Sequence, residues 1–563
     1  MKFNITEKEI RILRVVSQVA GIFCLIVALT MLITLVQLKT VKPLDSPALV
    51  ALKAQYDKDP ANAELAAQVR AMDLMARRAY FSSRWQVETG TYLLLAGAII
   101  YILSQRVITG SEKKVPLMPG ARPEQGILSD KIRKILLIAA SVISVAAIGA
   151  SFILRKEFPA PRGSASREER TASGKGNKLL KADKTNYPFF RGDSRGIAGG
   201  SGYPEDWDGA SGKNVIWKVQ LPKSGKSSPV IWEDKIFLTG AEGKTCEVYA
   251  VSKKDGKLLW TGSANNVQGE PAEAPRMSRE EGLAVPTAAT DGNVVCAIFA
   301  NGNLVCFDLD GKLKWSKNIG IAESTYGYAS SVVICDNILI VQFDSNSKLA
   351  LLGFNTETGE QKWETLRQGR PVWSSPVVAD FGGVPQVVIN GNPAVSGFEA
   401  ATGKLLWSVD CMSGDVAPSV AVNNSMAFAV TDYAKLCGIK PGAAPVVAWE
   451  DNTYTPDVSS PVATDKYLFV ATGNGDVACY NAEKGDTLWA RFFSDQFYAS
   501  PVVADDKLYI QGREGVMHIV AADPKYKLIS EPALGEGADC TPAFSDKKIF
   551  IRGKNYLYCI GKN

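Results

Sequence analysis

The chain has 563 residues, of which 21% are charged and 46% apolar, and a formal net charge of +5. That length exceeds one ordinary domain, and so mild a charge, with no basic strip interleaved with aromatics, argues against nucleic acid as a partner. A single histidine nearly excludes Ser-His-Asp or Cys-His catalysis and any poly-histidine metal centre.

Residues 1–154 read as a membrane region. Val15 to Leu38 carries no charge and is long enough to cross a bilayer as a helix. No small-x-small cleavage site follows it, so it reads as an uncleaved anchor. Thr89 to Gln105 and Ile135 to Leu154 are two further uncharged stretches. The expectation is an α-helical region with three transmembrane helices at about 15–38, 89–105 and 135–154 and the lipid bilayer as partner. Between the first two, Ser46-Pro47 marks a helix start, and Leu65, Val69, Met72, Ala76 and Ala79 recur at helical spacing. This predicts a helical hairpin over about 46–85. Lys and Arg divide almost evenly between the two sides, so charge does not orient the spans. Residues 155–186 form a basic, Gly/Ser-rich linker without apolar periodicity.

From residue 187 a phrase repeats, a turn ending in glycine followed by tryptophan. It reads Asp255-Gly256 with Trp260, Asp310-Gly311 with Trp315, Thr358-Gly359 with Trp363, and Thr402-Gly403 with Trp407. After a double interval with Trp449 in its middle comes Lys484-Gly485 with Trp489. A second phrase, a small residue, then proline, then β-branched residues, runs in phase. It appears at Pro229, Pro286, Pro376, Pro418, Pro461, Pro501 and Pro542, and once without proline at Ser331-Val332-Val333. Proline cannot donate to a ladder and belongs at the first residue of a strand. A period of about 40–50 residues with strand-like flanks marks a β-propeller.

The fold class expected is therefore an all-β propeller over 187–563 with eight four-stranded blades. Trp217, Trp260, Trp315, Trp363, Trp407, Trp449 and Trp489 are assigned a structural docking role, each ring wedged against the neighbouring blade. The last repeat ends before any tryptophan, and the orphan phrase Val215–Val219 stands before the first. The orphan supplies the missing outer strand and closes the ring, which removes an open edge. Two blades depart from the pattern. The seventh has Pro524-Lys525-Tyr526 where glycine and tryptophan belong, and the fifth has an insert from Lys440 to Pro445.

Ten cysteines contain no Cys-x-x-Cys, so zinc-ribbon and c-type haem readings fail. Cys306, Cys479 and Cys559 occupy a slot filled by Ala250, Gly353 and Gly397 in sibling blades, which asks for a small apolar side chain. Cys296 with Cys306, and Cys411 with Cys540, are two pairings left open. His518 reads as a packed or surface residue far from the ring mouth. No phosphate loop appears, and the Gly-rich stretch Gly196–Tyr203 reads as a lead-in loop to the ring.

The loops ahead of each proline slot open onto one end of the central channel. They present Lys226, Leu283, Tyr328, Trp373, Asp415, Asp457, Tyr498 and Asp539. Of these, Tyr328, Trp373, Asp415, Asp457, Tyr498 and Asp539 form the candidate ligand or partner surface. No catalytic residue and no metal ligand is assigned.

The run Gly397-Phe398-Glu399-Ala400-Ala401-Thr402-Gly403 leading to Trp407, with Ser-Pro-Val-Val in phase, resembles the PQQ-like (quinoprotein-type) eight-bladed repeat family. Phe190-Arg191-Gly192-Asp193 with Trp217-Lys218 resembles large envelope proteins of that family. The resemblance covers about 187–563. The family includes alcohol and glucose dehydrogenases that use pyrroloquinoline quinone, and the non-catalytic scaffold lipoprotein of the outer-membrane barrel-assembly machinery. The chain lacks a vicinal Cys-Cys pair, and its short blades leave little room for a cofactor chamber. The resemblance thus implies a membrane-anchored, non-catalytic scaffold in the bacterial envelope with protein partners and no cofactor. It places the chain at the inner membrane with the propeller on the periplasmic side. The alternative is a membrane-bound dehydrogenase using pyrroloquinoline quinone (PQQ) with Ca2+, and the third reading is a glycan- or peptide-binding sensor.

Overall fold

The computed structural model describes residues 13–24, 26, 27, 30, 93, 97, 100, 101 and 104, and residues 179–562 apart from 274, 276–281, 325, 326 and 433. The chain divides into two compact units, Met1–Ala172 and Ser173–Asn563. In the first unit the expectation of three transmembrane helices, and of a bilayer partner through them, is corrected. Among the described residues no helix is long and apolar enough to cross a membrane. The described residues 13–24, 26, 27 and 30 are helical. The stretch 135–154 and the hairpin expected at 46–85 lie outside the described residues, as do most of 89–105 and part of 15–38.

In the second unit the described strands form eight four-stranded antiparallel sheets. Blade 1 spans residues 230–263, blade 2 289–318, blade 3 333–366 and blade 4 377–410; blades 5, 6 and 7 span 421–451, 462–492 and 502–530. Blade 8 takes three strands from the chain's end, Ala543–Ser545, Lys548–Arg552 and Tyr556–Ile560. Its fourth is Val215–Gln220. That outer strand pairs antiparallel with Tyr556–Ile560, Trp217 standing opposite Cys559 and Val219 opposite Leu557. The ring is closed by the strand that the repeat count left over.

Each innermost strand leads into a tight hairpin. In blade 7 both turn residues, Asp505 and Asp506, have positive φ (52° and 56°), and in blade 8 so do Asp546 and Lys547 (48° and 60°). Two successive positive φ values give a turn whose twist matches the flanking strands, and Asp tolerates that backbone better than most residues.

The glycine and tryptophan phrases meet between blades. Trp217 Nε1 donates to the Lys253 carbonyl (3.2 Å), Trp260 to Leu309 (3.0 Å), Trp315 to Thr356 (2.8 Å) and Trp449 to Ala482 (3.0 Å). Each acceptor lies in the glycine turn of the next blade. There the ring occupies the space of the missing Cβ; a Cβ on Gly359 (φ +70°) would stand 2.6 Å from Trp315 Cδ2. Trp363 packs on Gly403 in the same manner. Within its own blade each tryptophan faces the small slot, as Cys306 faces Trp315, Gly353 Trp363 and Cys479 Trp489.

The two irregular blades alter the contact as their sequences require. Blade 5 has its insert where the glycine turn belongs, and Trp407 instead donates to Gln386 Oε1 of its own blade (2.7 Å). Blade 7 offers Tyr526, whose ring lies 5.4 Å from that of Trp489, while Trp489 Nε1 donates to the Asp523 carbonyl (2.9 Å).

Around the axis the hydroxyls of the second phrase form a relay. The backbone N–H of Ser228 donates to Thr287 Oγ1, Thr287 to Ser331, Ser331 to Ser375, Ser375 to Ser419, Ser419 to Ser460, Ser460 to Ser500, and Ser500 to Thr541, all at 2.8–3.1 Å. The inner strands are too far apart to pair as a sheet, and one hydroxyl per blade satisfies the first N–H of the preceding blade. Buried side chains add straps, as Asn390 Nδ2 donates to the carbonyls of Pro418 (2.8 Å) and Val430 (2.9 Å) in blade 5. Arg552 does the same from blade 8 to blade 1, its Nη1 donating to the carbonyls of Ser227 (3.2 Å) and Thr239 (2.9 Å).

The lead-in segment plugs one mouth of the channel. Tyr187 pairs with Ile231, Pro188 accepts from Thr290 N–H, Ser194 Oγ from Val378 N–H, and Gly196 from Val503 N–H. Arg191 is wholly buried and reaches the carbonyls of Val420 and Pro461. Asp546 N–H donates to Lys184 O at the hairpin of blade 8. The plug therefore lies on the face of the first hairpin turns. The loops entering the innermost strands lie at the opposite end and form the second rim.

Of the two cysteine pairings left open by the sequence, Cys296–Cys306 is formed across blade 2, while Cys411 and Cys540 are free.

Candidate functional site

This second rim is built from the loops that join one blade's outer strand to the next blade's inner strand, and from the turns between second and third strands. Tyr498 and Asp539 come together there through a residue the sequence reading passed over. Arg513 Nε donates to Asp539 Oδ1 (2.8 Å), and its guanidinium lies 4.0 Å over the Tyr498 ring. Lys226 Nζ is 3.7 Å from the other oxygen of Asp539, and Arg513 Nη1 is 3.3 Å from Gln496 Oε1. The side chains of Lys226, Arg513 and Asp539 are about one-third exposed or less, and the cluster spans blades 6, 7, 8 and 1. A cation held over a ring and against a carboxylate is pre-oriented, so a partner meets it with little ordering cost.

Trp373 forms a second point on the rim. It is half-buried, and its Nε1 donates to the Gly327 carbonyl (3.1 Å) and Ser324 Oγ (3.3 Å). Its own N–H is bonded to the Val416 carbonyl (2.8 Å), which ties the rim loops of blades 4 and 5 together.

The other three candidates do not join these clusters. Tyr328 turns inward and is buried; its hydroxyl donates to the Gln342 carbonyl (2.8 Å), and burial pushes its ionisation far above the ordinary phenol range. Asp415 is exposed, and its carbonyl accepts from Thr431 Oγ1 (3.0 Å). Asp457 is half-buried and caps the backbone N–H of Gly473 (3.1 Å). Three carboxylates on three separate loops make no ligand shell. Among the described residues no group of three or more His, Cys, Asp or Glu is placed to hold a metal ion.

Sequence reasoning missed Arg513 because it looked only at loops ahead of the proline slot. Arg513 sits instead in the turn between the blade 7 strands Lys507–Gln511 and Met517–Ala521. It also missed the pairing of Arg367 with Asp344, almost wholly buried beneath the Trp373 loop, where Asp344 further accepts from Val372 N–H (3.3 Å).

His518 is not remote from the rim. It is buried, with Nδ1 2.8 Å from Glu531 Oε1, Nε2 3.4 Å from Asp495 Oδ2, and its ring 4.6 Å from Phe493 and 5.6 Å from Phe497. Asp495 and Phe497 belong to the same loop as Tyr498, so the histidine braces that loop from below. Burial would raise the Asp495 carboxyl, but hydrogen bonds from His518 and from the Gln496 backbone outweigh it and hold the group below its ordinary value. A carboxyl whose folded pKa lies below its unfolded one stabilises the fold above roughly pH 4. That contribution is lost as pH falls through the folded pKa. Thermal melts of the wild type and Asp495→Asn are therefore expected to differ most near pH 7 and to converge toward pH 3. A gap that stays constant with pH would rule this role out.

Comparison with known proteins fits this geometry. A family model described as outer membrane protein assembly factor BamB matches residues 197–372, 345–460 and 392–526. The outer membrane protein assembly factor BamB of Yersinia pestis is 25% identical over 358 residues, 59% of this chain and 83% of that protein. The factor of the same name from Bordetella pertussis is 22% identical over 330 residues, 56% of this chain and 77% of that one. Among solved structures, the quinohemoprotein alcohol dehydrogenase of Comamonas testosteroni aligns with a TM-score of 0.50 at 11% identity, over 68% of this chain and 81% of its own, which is a likeness of fold alone. The matches to the family model run from residue 197 to residue 526, more than half of the 563 residues, and the chain belongs to the family of outer membrane protein assembly factor BamB.

Proposed function

We propose that this protein is a non-catalytic scaffold that docks protein partners on the second rim of its propeller, in the assembly of outer-membrane proteins on the periplasmic side of a bacterial envelope. One observation carries the reading. The lead-in segment seals one face of the ring, while the opposite rim displays half-buried Trp373 and the Tyr498–Arg513–Asp539–Lys226 cluster. Rings and guanidinium groups held in place by their neighbours are the residue types that dominate binding energy at protein interfaces. Kinship with assembly factors supports the same reading.

The test is affinity capture from envelope extracts with the full chain, the Trp373→Ala variant and the Arg513→Ala variant. Each substitution is expected to weaken capture of the same partners about tenfold or more. Undiminished capture by both variants would remove the rim as the docking face. In parallel, titration with pyrroloquinoline quinone and Ca2+ is expected to show no stoichiometric binding at micromolar levels; tight binding with dye reduction would replace the scaffold by an enzyme.

A further inference from the structure

Two thiols from neighbouring blades meet just beneath the rim. Cys411 follows the outer strand of blade 4, Leu405–Asp410, and opens the loop that carries Asp415. Cys437 lies in the blade 5 strand Lys435–Lys440, between Ala429 and Glu450 of the flanking strands. Both are free and buried. The Cys437 sulfur is 4.0 Å from the Cys411 carbonyl oxygen, which brings the two cysteines together at the joint of blades 4 and 5. The backbone N–H groups of Cys411 and Met412 are both fixed on the Pro393 carbonyl (3.1 and 3.0 Å), so this end of the loop has a defined position.

The pair differs from the other buried cysteines. Cys246, Cys335, Cys479 and Cys559 are pushed up to about 12 by burial, which makes them inert packing. At Cys411 the nearness of Cys437 outweighs burial and lowers the thiol's ionisation; Cys437 is pushed up by that same neighbour and by its burial. Cys411 opens an exposed loop, whereas Cys437 lies within a strand with no exposed surface, so the first is the nearer to an incoming carrier and the second stands behind it. Ser413, Gly414 and Asp415, just beyond Cys411, are exposed, so the attacking sulfur lies one loop deep.

We propose that Cys411 and Cys437 are a dithiol oxidised by a disulfide-bearing carrier protein, and that their bond ties the 411–417 loop of the rim to blade 5. The Cys411 thiolate attacks one sulfur of the carrier's disulfide. The carrier's S–S bond breaks, a mixed disulfide forms, and the released carrier sulfur takes up the proton that Cys411 gave up. The Cys437 thiolate then attacks the Cys411 sulfur. The Cys411–Cys437 bond forms, and the second carrier sulfur leaves and takes up the Cys437 proton. Two electrons pass from this chain to the carrier, which ends as a dithiol. The loop so tied is the one whose Val416 carbonyl holds Trp373, which makes the bond a tether on the docking rim.

The full chain is incubated with an oxidised Cys-x-x-Cys carrier, then denatured, alkylated and digested with trypsin for mass spectrometry. Of the eight free cysteines, two are expected to escape alkylation, with the peptides 405–435 and 436–466 joined through sulfur. Cys437→Ser is expected to accumulate the mixed disulfide between Cys411 and the carrier, and Cys540→Ser to leave the 411–437 link unchanged. Eight alkylated thiols after oxidation, or a link from Cys411 to Cys540, would overturn the proposal.

Discussion

Gly359→Val is expected to destabilise the propeller by about 3 kcal/mol or more, lowering its thermal midpoint by about 5 °C. Two terms add. A β-branched residue forced to φ +70° costs about 1–2 kcal/mol. The new side chain must also displace the Trp315 ring, since even its Cβ would stand 2.6 Å from Cδ2, and overpacking of this kind costs about 1–3 kcal/mol. Gly382→Val separates the two terms. Gly382 has the same backbone sign, φ +73°, with nothing within 4 Å of an added Cβ. It is expected to lose only the backbone term. The difference between the two variants in urea-unfolding midpoints measures the docking of one blade's tryptophan on the next blade's glycine. Equal losses would mean that the ring contributes nothing at this joint.

The two halves of that joint were legible in the sequence because each phrase is local and repeated. Glycine turn and tryptophan sit four residues apart in one strand pair, and the repetition exposes the slot where Cys306, Gly353 and Gly397 alternate. The closing strand was legible for the same reason, as a phrase left over at one end and missing at the other. The hydroxyl relay was not. Aligned on proline, the second phrase hides that Thr287 and Ser419 follow their prolines, whereas Ser228, Ser375, Ser460, Ser500 and Thr541 precede theirs. Only the bonds between blades show that the hydroxyl, not the proline, holds the register.

The rim was legible in part. Register places a residue at the channel mouth, but it does not say which way an irregular loop turns its side chain. Tyr328 and Trp373 occupy corresponding loops, yet one points into the core and the other stays half-buried at the rim. Arg513 reaches Asp539 across a blade boundary, a contact between residues whose relation is set by ring closure and by no local pattern. At the chain's other end the reverse error occurred. Uncharged stretches suggest bilayer crossings on length and apolarity alone, and among the described residues no helix is long and apolar enough to make one.

The seam of the ring should be the most sensitive place on the molecule. Blade 8 is held to blade 1 by the strand Val215–Gln220, by Arg552 on the axis, and by Lys253, whose Nζ is 2.7 Å from Asp546 Oδ2 and 3.1 Å from Ser545 Oγ. Trp217 serves both sides. Its backbone stands in blade 8 opposite Cys559, while its ring rests on Gly256 of blade 1 and its Nε1 bonds Lys253 O. Trp217→Ala removes a large side chain worth about 3–5 kcal/mol in a packed site. It also loosens the one strand that covers the edge of Tyr556–Ile560. Hydrogen exchange is expected to accelerate over both 215–220 and 556–560, and the uncovered edge is expected to pair between chains, giving concentration-dependent dimers. Trp407→Ala is the control. That ring bonds within its own blade, so it should lower stability without opening an edge. If Trp217→Ala stayed monomeric with exchange unchanged over 556–560, the blade 8 edge would be secured by Arg552 and Lys253 alone, and the borrowed strand would be a passive cover.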